Sequence, residues 1–224
     1  MTSRRGPLEA VPWPETLDAY AVSDDDETLR LHGYDVEADV AAHYRFSDAL
    51  YLAIKADLPD DPRSRAFEIA LTFALPLSVA EAPIHAAALA RICGARPSGV
   101  ASVASLALGE QTSETVRELL PVLRGEAEPP ADVTPRAAAS VARLRALLTG
   151  VTGVLDVPLL DRQPSRELAI LAVLWACDLR TEWELVHAMT LARLPSAVAE
   201  SGPRRPLDFA SYPTTTPPID YTEG

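Results

Sequence analysis

A cluster of polar residues near the middle of the chain directly follows a run of small apolar ones. In SLALGEQTSETV, residues 105–116, the change comes at Gly109, and Glu110, Gln111 and Thr112 follow. A carboxylate or an amide at the end of a helix can accept a proton or donate a hydrogen bond to a bound substrate. The same composition is typical of a turn between two helices, and we predict such a turn here.

Histidine and cysteine, the residue types that most often bind metals or act as nucleophiles, show no pattern of a site. None of the four histidines is spaced as in H-x-x-x-H, and the two cysteines are not spaced as in C-x-x-C. The sequence therefore predicts no metal site. Cys93 and Cys177 both lie in apolar helical runs, so we expect two buried free thiols rather than a disulfide.

Composition and charge indicate the class of protein. Of the 224 residues, 48% are hydrophobic and 6% aromatic, and alanine, the best helix former, is abundant, which favours an all-helical protein. The net charge of −12 leaves no basic surface for binding nucleic acid. The sequence shows no signal peptide and no apolar stretch of membrane-spanning length, so we expect a soluble, cytoplasmic protein.

Proline-rich segments near both ends and in the middle divide the chain. Residues 1–28 form a predicted acidic arm, residues 29–201 a helical domain, and residues 202–224 an extended tail rich in proline and threonine. Within the helical domain, GEAEPPADVTP, residues 125–135, is a predicted linker.

The first long helix is predicted within residues 46–59, with Ser47 or Asp48 at its N-terminus and Pro59 just past its end. Its apolar residues recur at helical spacing, and we expect four of them on the buried face: Phe46, Leu50, Ala53 and Ile54.

Several later helices follow from the same periodicity. The segment 97–109 is a predicted helix with an almost smooth surface, because it consists mainly of Gly, Ala and Ser. A separate helix is predicted to begin at Ser113, a favourable N-cap residue. An apolar helix over 164–179 is expected at the centre of the core. The last helix is expected to kink or break at Pro195.

Three segments, in this order, resemble the citrate synthase superfamily. Residues 29–61 contain the sequence Gly-Tyr-Asp and then a Phe-x-x-Ala-x-x-Leu helix that ends in Leu-Pro. Residues 82–109 resemble the helix pair that follows, and residues 164–206 are similar to the last third of the family. The resemblance implies an all-α, citrate-synthase-like multi-helix bundle whose small-domain or middle region, here residues 117–163, is reduced.

The resemblance also implies a chemistry. Members of the superfamily condense an acyl-CoA with a 2-oxo acid, and some cleave citryl-CoA. They use a carboxylate base, histidines that polarise two carbonyl groups, and arginines that hold carboxylates. The position of the base falls at Glu167, a glutamate where the family has aspartate. The position of the loop histidine falls in the polar cluster, where Gln111 is the candidate donor and no histidine is present.

Two arginines are candidates for binding a substrate. The family's carboxylate-binding arginine falls at Thr190, so Arg193, one turn further, is the candidate, although we expect it as a surface charge. Arg205, in the sequence RRP, resembles an arginine that reaches into the site of the partner subunit. We expect no cofactor, with a CoA thioester as a possible substrate.

These residues leave three interpretations open. We expect first a non-catalytic subunit, a pseudoenzyme, that pairs with itself or with an active citrate-synthase-like relative through the helix 97–109. The alternative is a divergent acyltransferase or C–C lyase that uses Glu167 as base and Gln111 as enolate donor. The third is a helical binding or regulatory module.

Overall fold

The computed structural model describes residues 19–23, 28–130, 133–152 and 157–201. The chain divides into two compact units, the first ending at Asp57 and the second beginning at Leu58. Within the described ranges, the helices are all too short or too polar to cross a membrane.

The first unit opens with a small antiparallel sheet. Its strands are β1 (Ala21–Ser23), β2 (Leu29–Leu31) and β3 (Tyr34–Asp35), in the order β1-β2-β3. Strands β2 and β3 are joined by a turn at His32 and Gly33, both of which have positive φ, 49° and 87°.

Two helical segments complete this unit. A π-helix, Val36–Val40, continues into the single turn α1 (Ala41–His43), and α2 (Phe46–Lys55) follows. The buried residues of α2 are Asp48, Tyr51, Leu52 and Ile54.

The predicted buried face of α2 is therefore wrong for most of its members. Phe46 is 80% exposed and Ala53 is exposed, whereas Asp48 is only 4% exposed. The carboxylate of Asp48 accepts the backbone N–H of Arg45 at 2.9 Å, so the helix start supplies the partner that a buried acid needs. Counting apolar residues alone therefore placed Ile54 correctly, but it also selected two exposed positions and missed the buried Asp48.

The second unit is helical. It contains α3 (Asp61–Ala74), α4 (Ala82–Ile92), α5 (Pro97–Leu123), α6 (Pro135–Thr152), a 3-10 turn (Pro158–Arg162), α7 (Arg166–Ala176) and α8 (Glu182–Ser201). Helix α5 packs mainly against α8 and α4, and α3 packs against α6 and α7. Residues 168–174 of α7 are all buried, which confirms the prediction of a central apolar helix.

The polar cluster does not form a turn, and this prediction is wrong. Helix α5 is continuous for 27 residues, with Gly109 in its interior and Ser113 inside the helix rather than at an N-cap. The buried residues recur every four positions through the cluster: Val100, Ala104, Leu108, Thr112 and Val116. A glycine inside a helix costs only about 1 kcal/mol relative to alanine, and this buried stripe outweighs it.

Two further expectations need correction. Helix α8 continues through Pro195 to Ser201, so the proline does not end it. Of the two free cysteines, Cys177 is buried as expected, but Cys93 is exposed. The exposure of Cys93 follows from its place as the C-terminal cap of α4, directly before Gly94, whose φ of 79° ends the helix.

Candidate functional site

The first turn of α7 places an arginine and a glutamate side by side. Ser165 caps this helix by accepting the N–H of Leu168 at 3.2 Å. Arg166 donates from Nη2 to the carbonyl of Phe73 at the end of α3. Its Nη1 lies 3.8 Å from Oε1 of Glu167, whose side chain is 41% exposed. The backbone carbonyl therefore fixes Arg166, and Glu167 is left reaching into solvent beside it.

A second glutamate lies in the connection between α3 and α4. Oε1 of Glu81 accepts the N–H of Ser78 at 2.9 Å, and its Oε2 accepts Nε2 of Gln111 at 3.3 Å. The amide of Gln111 thus donates to a carboxylate of its own chain. The other amide atom, Oε1, is buried without a hydrogen-bond partner among the described residues.

Arg193 is a buried cation that interacts electrostatically with both glutamates. It is 3% exposed, which contradicts the expectation of a surface charge on α8. Burial lowers the pKa of its guanidinium, while the carboxylates of Glu167 and Glu81 oppose that shift and Arg166 adds to it. An arginine can remain charged in this interior because two carboxylates partly compensate the lost hydration. Its Nε has no hydrogen-bond partner among the described residues.

These groups adjoin a cleft with a volume of about 850 Å³. The cleft is lined by the end of α3, the connection 75–81, the first half of α6 and the first turn of α7. Its charged lining residues are Glu81, Arg136, Arg143, Arg166 and Glu167. Gln111 is not a lining residue, and it reaches the cleft only through its hydrogen bond to Glu81.

None of the four histidines lines the cleft. His187 places Nδ1 2.7 Å from the carbonyl of Trp183 and packs on the Trp183 ring, at 4.2 Å between centroids. His32 stacks on Tyr20 at 4.7 Å, and His43 and His85 are exposed. The described part of the chain also contains no group of three or more His, Cys, Asp or Glu residues that could hold a metal ion.

No protein-family model and no curated protein matches the sequence. A solved structure of citryl-CoA lyase from Hydrogenobacter thermophilus is similar in three dimensions, with a TM-score of 0.63 and 17% sequence identity. The similarity covers 83% of this chain and 85% of that one. At this identity the comparison establishes the architecture. The chain has a citrate-synthase-like fold.

The citrate-synthase-like fold brings together three of the four residues selected from the sequence. Glu167 lines the cleft, Arg193 interacts electrostatically with Glu167, and Gln111 contacts Glu81. Arg205 lies outside the described residues.

Four charged residues of the site were missed by the sequence reasoning. Glu81 looks like an ordinary acid before a helix, and Arg166 like an exposed neighbour of Glu167. The remaining two, Arg136 and Arg143, are seven residues apart on α6, and this spacing was the one available signal that they share a helix face.

Proposed function

We propose that this chain is a non-catalytic member of the citrate-synthase-like lineage that pairs with an active relative. The observation that carries the proposal is the unbroken helix α5 at the place where the resemblance implies a histidine-bearing loop. The side chain that takes this place, Gln111, is bonded to Glu81 and not directed at the cleft.

The chemistry implied by the resemblance explains why this difference supports the proposal. Removing a proton next to a thioester leaves negative charge on the carbonyl oxygen, which must be met by hydrogen-bond donors or cations. Loss of one such donor typically costs about 10²–10³ in kcat. No imidazole lines this cleft. Two of its five charged lining residues are glutamates, which would repel the developing charge, and one of its three arginines, Arg166, already donates to the carbonyl of Phe73.

The candidate base, Glu167, also differs in residue type from the aspartate that the resemblance implies. A glutamate carries its carboxylate one methylene further from the backbone than an aspartate does. A shift of about 1 Å in a reacting group can cost on the order of a hundredfold in rate. The carboxylate of Glu167 lies 3.8 Å from Nη1 of Arg166, which supports a structural role for this residue.

The pairing surface we propose is the outer face of the segment 97–109. Ser102 and Ser105 each donate their hydroxyl to a carbonyl one turn back, at 2.8 and 2.7 Å, so they present little polarity outward. Leu106 is 71% and Val103 45% exposed on this segment. The opposite side of the helix is buried within the chain, so the partner would contact the outer face.

The proposal also includes Arg205 as a residue that reaches into the partner's site, the role that the resemblance implies. Replacing it with alanine should lower the activity of a heteromer with an active relative and leave association unchanged. Unchanged heteromer activity would remove Arg205 from the proposal.

A direct experiment compares the chain alone with the chain co-expressed with an active citrate-synthase-like relative. Release of free CoA from acetyl-CoA in the presence of oxaloacetate is followed with a thiol reagent. The Cys93→Ser variant is used, because exposed Cys93 would itself react. We expect association without turnover by the isolated chain. Robust condensation by the isolated chain would end the proposal.

An active enzyme is the second candidate, and one observation favours it: Glu167 lines an open cleft large enough for a substrate. In that case Glu167 is the base and Gln111 the enolate donor, and Glu167→Gln should abolish turnover with little change in melting temperature. If Glu167→Gln turned over substrate as fast as the unmodified chain, Glu167 would be excluded as the base.

A further inference from the structure

Helices α5 and α8, which pack against each other, carry four buried polar atoms that have no hydrogen-bond partner among the described residues. They are Oε1 of Gln111 and Oγ1 of Thr112 on α5, and Oγ1 of Thr190 and Nε of Arg193 on α8. Buried polar groups in proteins are nearly always hydrogen-bonded, either to the protein or to ordered water. Four such atoms on two contacting helices therefore indicate one shared partner.

The hydroxyl groups of Thr112 and Thr190 do not make the bond that other hydroxyls of α5 make. The hydroxyl of Thr115, three residues beyond Thr112, donates to the carbonyl of Gln111 one turn back, at 2.9 Å. This is the common arrangement for a threonine inside a helix. The oxygens of Thr112 and Thr190 are buried and lack it. Both hydroxyls are therefore available to another group in the interior.

Two contacts set how α5 and α8 lie against each other. Towards one end, Arg117 of α5 pairs with Glu182 of α8 at 3.2 Å. Towards the other end, Ala104 of α5 and Ala197 of α8 belong to one buried cluster. Residue numbers rise along α5 as they fall along α8, so the two helices run antiparallel.

The four atoms lie at the same level of this contact. Gln111 and Thr190 are each midway between the two contacts along their helix, so they lie opposite each other. Thr112 is adjacent to Gln111, and Arg193 is three residues from Thr190, on the same face of α8. Glu81 links the two sides, since it accepts a hydrogen bond from Gln111 and interacts electrostatically with Arg193.

The chemistry of the four atoms restricts what can bind between them. Nε–H of Arg193 only donates, Oε1 of Gln111 only accepts, and a threonine hydroxyl does both. A cation would be repelled by the guanidinium of Arg193. An anion would be repelled by the carbonyl oxygen of Gln111 and the nearby carboxylate of Glu81. A small neutral molecule that donates and accepts meets all four atoms.

We infer that the contact between α5 and α8 contains a buried binding site for one ordered water molecule. The water accepts hydrogen bonds from Nε of Arg193 and from one threonine hydroxyl, and it donates to Oε1 of Gln111 and to the other hydroxyl. Buried waters typically make about three such bonds, with a range of about two to four. The inference does not depend on whether the chain is catalytic. It assigns Gln111 and Arg193, both selected from the sequence as candidate site residues, to the interior of their own chain.

The first test replaces each hydroxyl by a methyl group in the full-length chain. The variants are Thr112→Val and Thr190→Val, and Thr115→Val is the matched control, because its hydroxyl bonds within α5. Valine has nearly the shape of threonine but cannot bond to water. We expect the melting temperature to fall by about 4 °C or more in the first two variants and to stay within about 2 °C in the control. Unchanged or raised melting temperatures in all three variants would overturn the inference, because removing an unpartnered hydroxyl stabilises a protein.

The second test is a crystal structure at a resolution that shows ordered water. We expect density for one water at about 2.7–3.2 Å from both Nε of Arg193 and Oε1 of Gln111. A direct hydrogen bond between these two atoms, with no water touching either, would also overturn the inference. Neither test involves turnover, so the proposed loss of catalysis is decided separately, by CoA release.

Discussion

The amide of Gln111 donates a hydrogen bond to the carboxylate of Glu81 at 3.3 Å, across thirty residues of sequence. This contact joins the middle of α5 to the connection that precedes α4, and its carboxylate interacts electrostatically with the buried Arg193. A residue expected to serve a substrate is therefore part of an internal network of polar groups. Such networks are costly to break, because each remaining member loses its partner away from water.

We expect Glu81→Gln to destabilise the second unit by about 1–3 kcal/mol. The change removes a negative charge that offsets the buried charge of Arg193. The measurement is urea unfolding at pH 7, with Glu68→Gln as control, since Glu68 forms a part-exposed pair with Arg65 at 2.9 Å. Equal effects in the two variants would show that Glu81 does not support Arg193.

Gly109→Ala should stabilise the isolated chain by about 0.5–1 kcal/mol. Gly109 lies inside α5, and a Cβ added there meets nothing within 4 Å. Gly94→Ala is the matched contrast: it also has open space, but its φ is +79°, so the variant should lose stability. Thermal unfolding distinguishes them, and a destabilised Gly109→Ala chain would argue against a continuous helix.

Leu106→Ser should abolish association with the active relative through the outer face of 97–109. Because Leu106 is 71% exposed, the free energy of unfolding of the single chain should change by less than about 0.5 kcal/mol. Leu108→Ala, two residues away and fully buried, should cost about 2–5 kcal/mol instead. Sedimentation velocity and urea unfolding of both variants provide the measurements. Unchanged association in Leu106→Ser would place the pairing surface elsewhere.

The two thiols should differ in reactivity. Cys93 should react with a thiol reagent in the folded protein, whereas Cys177 should react only after unfolding, since it is buried and burial raises the pKa of its thiol to about 12. Reaction of two thiols in the native state would contradict this assignment.

The same shift makes stability depend on pH. Above the ordinary thiol pKa of 9.0 the unfolded chain releases the Cys177 proton while the folded chain keeps it up to about 12. Stability is therefore complete below pH 9 and falls as pH rises towards 12, by at most about 1.4 kcal/mol per pH unit. Melting temperatures from pH 8 to 10.5 should fall more steeply for the unmodified chain than for Cys177→Ala. Equal slopes would exclude Cys177 as the cause.

The helical class and the central helix α7 could be predicted because their signals are local or strongly periodic. The buried face of α2 could not be, because Asp48 is made compatible with the interior by a bond to the backbone of Arg45. The continuity of α5 was missed because a polar cluster resembles a turn until its buried stripe through Thr112 is known.

The candidate site was predicted only in part, because its charged groups come from segments that are far apart in the sequence. Glu167 lines the cleft, but the charge of buried Arg193 is offset by two carboxylates from distant segments. Long-range compensation of charge leaves no pattern in adjacent residues. For the arginines of α6, the sequence showed only that they are seven residues apart. They line one cavity because α3 packs against α6 and α7.

Helix α5 is about 40 Å long and unbroken. Leu106 and Gln111 lie little more than one turn apart on this rod, and the latter holds Glu81 at the edge of the cleft. A protein that binds at Leu106 and shifts α5 along its axis would therefore also move Gln111. That movement would change the position of the Glu81 carboxylate in the cleft. By thermodynamic reciprocity, a ligand that binds in the cleft against Glu81 would in turn alter the affinity for that protein.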